Sequence, residues 1–256
     1  MIYLIIGASS GLGRALADKF AKEKKNLIIV SRDDRDLTAM KSDLEIKYNI
    51  NVEKIALDFS SFEELNHKLL KKNMFQNLNG ILFPVGLMHE KDNFDLTEAD
   101  LKRITFANYL SIAHTINYLR RHSNMNDFSI VGFGSVSGLI GRNLNMSYAA
   151  AKRSLESFFE SMAFEENLKN TNIQFYTLGY LDTNLAFGKD LILPKGSTFK
   201  LANIVFKNLK VNFKKTYYPL FWTVIVFILK ITPFSILIRL YKILIKWQKF
   251  KNIIYL

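Results

Sequence analysis

Met1-Ile2-Tyr3-Leu4-Ile5-Ile6-Gly7-Ala8-Ser9-Ser10-Gly11-Leu12-Gly13-Arg14 is the stretch that decides the fold. Residues 1–6 are apolar, include β-branched side chains and carry no turn signal, so they read as a buried strand. After the glycines, Ala15, Leu16, Phe20 and Ala21 recur with helical spacing. Strand, glycine-rich turn and helix in that order are the context a dinucleotide-binding loop requires. Glycines let the backbone turn sharply and approach a pyrophosphate at the positive end of the next helix. The spacing is G-x-x-x-G-x-G rather than G-x-G-x-x-G. A glycine-rich loop alone also serves as a plain structural turn.

Working outward, strands and helices alternate. Strands are expected at Asn26–Val30, Val52–Leu57, Ile81–Val85, Phe128–Gly132, Ile173–Leu178 and Thr216–Tyr218. Helices are expected at Leu37–Tyr48, Phe62–Lys72, Thr97–Arg121, Met146–Leu168 and Phe199–Leu209. This alternation implies an α/β fold, a Rossmann-type doubly wound parallel sheet with right-handed crossovers. The end of the second strand selects between dinucleotides. A carboxylate there would bind ribose hydroxyls and repel a 2′-phosphate. This chain has Ser31-Arg32, and the planar Arg32 guanidinium suits a phosphate. NADP(H) is therefore favoured over NAD(H). The alternative is a surface Arg32 paired with Asp33 or Asp34.

The chemistry-bearing residues lie further along. Tyr148 and Lys152 follow Ser135 by 13 and 17 residues, and no other Tyr has a Lys four positions on. Four residues is about one helical turn, so phenol and ammonium share a helix face. A phenol titrates near pH ~10, and a nearby ammonium favours the phenolate. A Ser hydroxyl beside the pair could hold a carbonyl oxygen during proton transfer. The bland reading is a surface Tyr one turn from a Lys. Asn108, inside an expected helix, is a mild anomaly, because its side chain competes for backbone hydrogen bonds.

Gly7, Gly11 and Gly13, Asp58, Asn108, Ser135, Tyr148-Ala149-Ala150-Ala151-Lys152, and Gly179 with Thr183 occur in one order. Together they resemble the short-chain dehydrogenase/reductase family in its short form, over roughly residues 1–219. The resemblance implies that Tyr148 passes a proton to or from the oxygen of a ketone or secondary alcohol. Lys152 would lower the Tyr pKa and bind the nicotinamide ribose. Ser135 would hold the substrate oxygen, and Asn108 a water linked to the lysine. Gly7, Ser9, Ser10, Gly11, Leu12 and Gly13 would form the cofactor loop, with Asp58 at the adenine edge. Gly86, Gly179, Leu181 and Thr183 are further expected cofactor contacts. Two departures stand out. Pro84-Val85-Gly86 replaces the family's Asn-Ala-Gly, so a bond that steadies the sheet is missing or replaced. Leu178-Gly179 replaces Pro-Gly. A cofactor-binding, non-catalytic regulatory or scaffold protein is the competing class, and retention of Ser135, Tyr148 and Lys152 argues against it.

Charge separates a second region. The formal net charge is +12. Residues 191–256 hold 12 Lys/Arg and no Asp or Glu, so the excess lies in the last quarter. That quarter is also apolar, which suits an anionic lipid surface and excludes nucleic acid as the favoured partner. Leu220–Leu229 is apolar, Lys230 interrupts it and Pro233 should kink it. Ten apolar residues fall short of the ~20 that span a bilayer. Residues 1–219 are therefore expected to form the catalytic domain. Residues 220–256 are expected to be a kinked, basic helical extension lying in the membrane interface. A subunit interface or a cover for the cleft is the alternative. The tail also resembles that of decaprenylphosphoryl keto-sugar reductases, which implies a lipid-linked ketone; ketoacyl and keto-sphingoid lipids fit as well. The chain has no Cys, and its four His show no ligand spacing, so no metal is expected. With no leader ahead of the first strand, the expected location is the cytoplasm, at the cytoplasmic face of a membrane. The family commonly pairs subunits through its two long helices. Here Phe158, Phe159, Met162 and Phe164 exceed what one helix face needs, so a homodimer is expected.

Overall fold

The computed structural model describes residues 1–9, 11–70, 75, 77–141, 143–183, 193–240 and 242–243. It divides into two compact units, residues 1–219 and 220–256. The first holds β1 (Ile2–Ile6), α1 (Gly11–Lys22), β2 (Asn26–Ser31), α2 (Asp34–Tyr48) and β3 (Val52–Ala56). A short α3 (Phe62–Glu64) continues as a π-helical stretch, Leu65–Leu70. Then come β4 (Leu78–Phe83), α4 (Glu98–Thr105), a π-helical Phe106–Leu110 and α5 (Ser111–His122). β5 (Ser129–Ser135), α6 (Met146–Met162), β6 (Asn172–Leu178), α7 (Thr198–Lys207) and β7 (Phe213–Tyr218) complete the unit.

The sheet order is β3-β2-β1-β4-β5-β6-β7, with every neighbouring pair parallel. Both faces must be covered in such a sheet, so its inner strands are largely apolar rather than alternating, while the edge strands β3 and β7 carry Glu53 and Lys54 and Lys214 and Lys215. On one face Ile112, Ile116, Leu155 and Phe159 of α5 and α6 pack on the strands. On the other, Leu16 and Phe20 of α1, Leu37 of α2 and Leu201 of α7 do so. Strand order reverses between β1 and β4, and the crevice beyond their carboxyl ends is where such folds bind ligands.

Several expected boundaries move for physical reasons. β4 ends at Phe83 rather than Val85, because Pro84 has no N–H to give the ladder. The expected 97–121 helix is interrupted by the π-helical turn around Asn108. The expected 146–168 helix stops at Met162, and Leu168, periodic with it in sequence, is buried from a separate short turn. Phe159 and Met162 are buried in this chain's own core and Phe158 packs against it, which leaves Phe164 as the strongly exposed member of that set. The apolar surplus inferred for α6 is therefore mostly core.

The second unit contains α8 (Trp222–Ile231) and α9 (Phe234–Leu240), bent by 118°. The break falls at Thr232, which is extended ahead of Pro233 as a residue preceding proline prefers. No single described helix is long and apolar enough to cross a membrane. Val224, Phe227, Ile228, Ile231, Phe234 and Leu240 expose large apolar side chains. Lys246, Lys249 and Lys251 lie outside the described residues.

Candidate active site

The carboxyl end of β1 turns at Gly7, whose φ is +91°, and α1 starts at Gly11, with φ +50°. Gly7 and Ala8 both donate to Val30 O, at 2.8 and 3.0 Å, which ties the turn to the end of β2. A Cβ on Gly13 would run into the carbonyl of Gly7, so the first turn of α1 lies directly on the loop. Leu12 anchors that turn in the core, and Arg14 Nε donates to Ser9 O at 3.1 Å. Ser10 lies outside the described residues. Thr183 reaches this loop from beyond β6, because a Cβ on Gly11 would lie 3.0 Å from its methyl carbon. Its segment is fixed by Gly179 N donating to Tyr218 O and by Leu181 bridging to Gly196.

Ser31 and Arg32 sit beside the loop at the end of β2. Ser31 Oγ is buried without a hydrogen-bond partner. Neither neighbouring carboxylate holds Arg32: Asp33 caps α2 through Asp36 N, and Asp34 pairs with Lys54 at 2.6 Å. Asp58 accepts from Ser60 N and Oγ and lies 3.6 Å from Arg103 Nη2. Burial opposes its ionisation, yet the Ser60 bonds and the charges of Arg32 and Arg103 hold its carboxyl below the usual range. A turn with positive φ at Gly7 and Gly11, seated on the first turn of α1 at Gly13, is the geometry that brings backbone N–H groups and a helix N-terminus to a dinucleotide pyrophosphate. The residues present fit that group.

Lys152 and Tyr148 project from α6. The Lys152 ammonium is buried and donates to Val85 O at 2.7 Å and Phe133 O at 3.0 Å. It lies 5.9 Å from the Tyr148 ring centre. Burial brings its pKa down to about 7. Ser135 ends β5 and accepts from Ser137 N at 3.2 Å. The turn after it lies on α6: a Cβ on Gly138 would stand 3.1 Å from Ala149 O and Arg153 N. Asn108 is fully buried in the π-helical turn, a feature frequent at functional sites. It accepts from Leu87 N at 3.1 Å and donates to Leu87 O at 2.7 Å and Ile104 O at 2.9 Å. Its amide protons are thus committed to backbone, so any water it held would have to donate to Oδ1. Pro84–Leu87, where the sequence departs from the family, is gripped by Lys152 at Val85 and by Asn108 at Leu87. Gly86 lies between them with open space beside it.

Sequence reasoning missed Asp92. Its carboxylate is almost fully buried and accepts from Ser147 N and Tyr148 N, each at 2.9 Å. No spacing rule links it to Tyr148, 56 residues away. Arg103, on α4 beside Asp58, was missed for the same reason.

A sequence profile of the short chain dehydrogenase family matches residues 1–190. The chain belongs to that family of NAD(P)(H)-using oxidoreductases. It is 27% identical over 216 residues to a very-long-chain 3-oxoacyl-CoA reductase of Vanderwaltozyma polyspora, covering 78% of this chain and 62% of that protein. It is 29% identical over 212 residues to a 3-oxoacyl-[acyl-carrier-protein] reductase of Rattus norvegicus, covering 78% and 87%. Its fold matches a short-chain dehydrogenase of Sphingobium yanoikuyae solved in complex with NADPH, with a TM-score of 0.73, 20% identity and coverage of 86% and 88%.

Proposed function

We propose that the protein is an NADPH-dependent reductase of a lipid ketone, with a 3-oxoacyl thioester as the favoured substrate class, working at an anionic membrane surface. The single observation that carries the chemistry is the Lys152 ammonium, buried one turn from Tyr148 at the carboxyl end of the sheet. Tyr148 supplies the proton to the ketone oxygen, Ser135 holds that oxygen, and Lys152 makes the phenol a competent acid. Bound NADPH supplies the hydride. Gly7 and Gly11 shape the turn that would approach its pyrophosphate, Gly13 seats α1 against that turn, and Arg32 would receive its 2′-phosphate.

Two observations support the substrate class. 3-Oxoacyl reductases recur among the similar proteins, whereas a keto-sugar reductase is suggested only by the tail resemblance. The bent α8–α9 pair exposes apolar side chains beside Lys230, Arg239 and Lys242, a composition suited to lying in a lipid interface.

The test is to incubate the full chain, NADPH and anionic vesicles with 3-oxododecanoyl-CoA or with a membrane lipid extract, and to identify products by mass spectrometry. A 3-hydroxyacyl product supports the reading. Reduction confined to a polyprenyl-linked sugar replaces the substrate class. Tight NADPH binding without reduction of either favours the non-catalytic class.

A further inference from the structure

We infer that Asp92 is a positioning residue for Tyr148: it caps the helix that carries the phenol from outside that helix. The proposal rests on the proton-donor role assigned to Tyr148 above. The first N–H groups of a helix have no partner within it. In α6 these belong to Met146, Ser147 and Tyr148, and Asp92 takes all three. Met146 N donates to Asp92 O at 3.1 Å, and Ser147 N and Tyr148 N donate to the two carboxylate oxygens at 2.9 Å. Ala149 N then makes the first intrahelical bond, to Asn145 O at 2.8 Å. Asn145, the local N-cap, is left-handed at φ +53° and makes no side-chain cap bond. An N-cap side chain ordinarily serves the second and third helical N–H groups, and Asp92 serves those same two. Its negative charge also faces the positive helix end.

The connection reaches further than a cap. Asp92 belongs to the loop whose start is gripped at Val85 by Lys152 and at Leu87 by Asn108. The loop between β4 and α4 is therefore held at three points by residues of the site. One of these grips is on the backbone N–H of Tyr148 itself. Removing the carboxylate frees the turn that carries the phenol while leaving the glycine loop, Ser31 and Arg32 untouched.

The experiment compares the full-length Asp92→Ala and Asp92→Asn variants, with Tyr148→Phe and the Asp92→Ala/Tyr148→Phe double variant. Each is assayed for reduction of 3-oxododecanoyl-CoA, for NADPH affinity by fluorescence and for deuterium uptake at residues 146–149. Misplacing a reacting group by about 1 Å is worth up to ~100-fold, so kcat of Asp92→Ala should fall by about 10- to 100-fold. NADPH affinity should change much less than kcat, because the glycine loop and Arg32 lie away from Asp92 and only the Lys152 and Gly86 contacts share its helix and loop. Asp92→Asn, which keeps one acceptor oxygen, should recover part of the rate. Deuterium uptake at 146–149 should rise in the alanine variant, with or without substrate. In the Tyr148→Phe background, loss of Asp92 should lower the rate no further. An unchanged kcat, an equal further loss in that background, or unchanged uptake overturns the positioning role. Normal turnover by Tyr148→Phe alone overturns instead the reading on which it rests.

Discussion

The ammonium of Lys152 donates to the carbonyl oxygen of Val85 at 2.7 Å. This bond joins α6 to the segment after β4, where the sequence departs from its family. It also explains why a lysine so deeply buried is tolerated: its protons meet two backbone carbonyls. Tolerance is conditional on pH. Burial lowers the Lys152 pKa from 10.5 to about 7, so between those values the unfolded chain binds more protons than the folded one. Stability therefore rises with pH across that window and the cost of burying the charge is felt below it. In thermal melts of the cofactor-free protein, Tm should rise from about pH 6 to about pH 9 relative to Lys152→Met, which has no charge to bury. Parallel Tm profiles for the two proteins would contradict a lysine whose charge is opposed by burial.

Arg32 should decide the cofactor. Charge-assisted bonds to a phosphate are worth about 1.5–3 kcal/mol, so Arg32→Ala should weaken NADPH by about 10-fold or more while leaving NADH nearly unchanged. Fluorescence titration of both dinucleotides measures it. Equal affinities in the unsubstituted protein would remove the preference.

Gly13→Ala should damage cofactor binding and stability together, because its methyl would meet the Gly7 carbonyl. Overpacking of this kind costs about 1–3 kcal/mol, read as a lowered denaturant midpoint. A normal midpoint and normal NADPH affinity would show that the loop has room the geometry denies it.

The tail should bind vesicles through both charge and apolar insertion. Each cation near an anionic surface contributes about 1 kcal/mol, so Lys230→Glu with Lys242→Glu should weaken flotation and Phe227→Asp should weaken it further. High salt should release the full chain only in part, since the apolar contribution is not screened. Full-length protein that stays soluble with every vesicle composition would assign the exposed apolar side chains to a protein contact.

Much of this architecture could be read from residues 1–14 and from the alternation of apolar runs. A parallel sheet buries both faces, and its strands announce themselves as apolar stretches. Tyr148 and Lys152 were legible because one helical turn has a fixed spacing. Asp92 was not, since its partner is a backbone N–H brought close only by the folded loop. The π-helical turn at Asn108 was also hidden, because Phe106, Ala107, Tyr109, Leu110, Ile112 and Ala113 form so dense an apolar run that a one-residue shift of phase does not show. Asn145, just ahead of α6, has a left-handed backbone and makes no side-chain cap bond, so the cap comes from Asp92 instead. β4 was displaced because the apolar run continues through Val85 past Pro84, and the missing proline N–H outweighs hydrophobicity there.

Delivery of the proton that completes ketone reduction is the role proposed for Tyr148, set by Lys152 and Asp92. It is tested most directly by single-turnover transfer of deuterium from deuterated NADPH to the carbonyl carbon of 3-oxododecanoyl-CoA, in the full chain and in Tyr148→Phe. General acid catalysis contributes about 10²- to 10⁴-fold. Labelled 3-hydroxyacyl product is expected from the unsubstituted protein, with a loss of at least about 100-fold in Tyr148→Phe and NADPH affinity retained. Equal rates of label transfer in the two proteins would contradict that role.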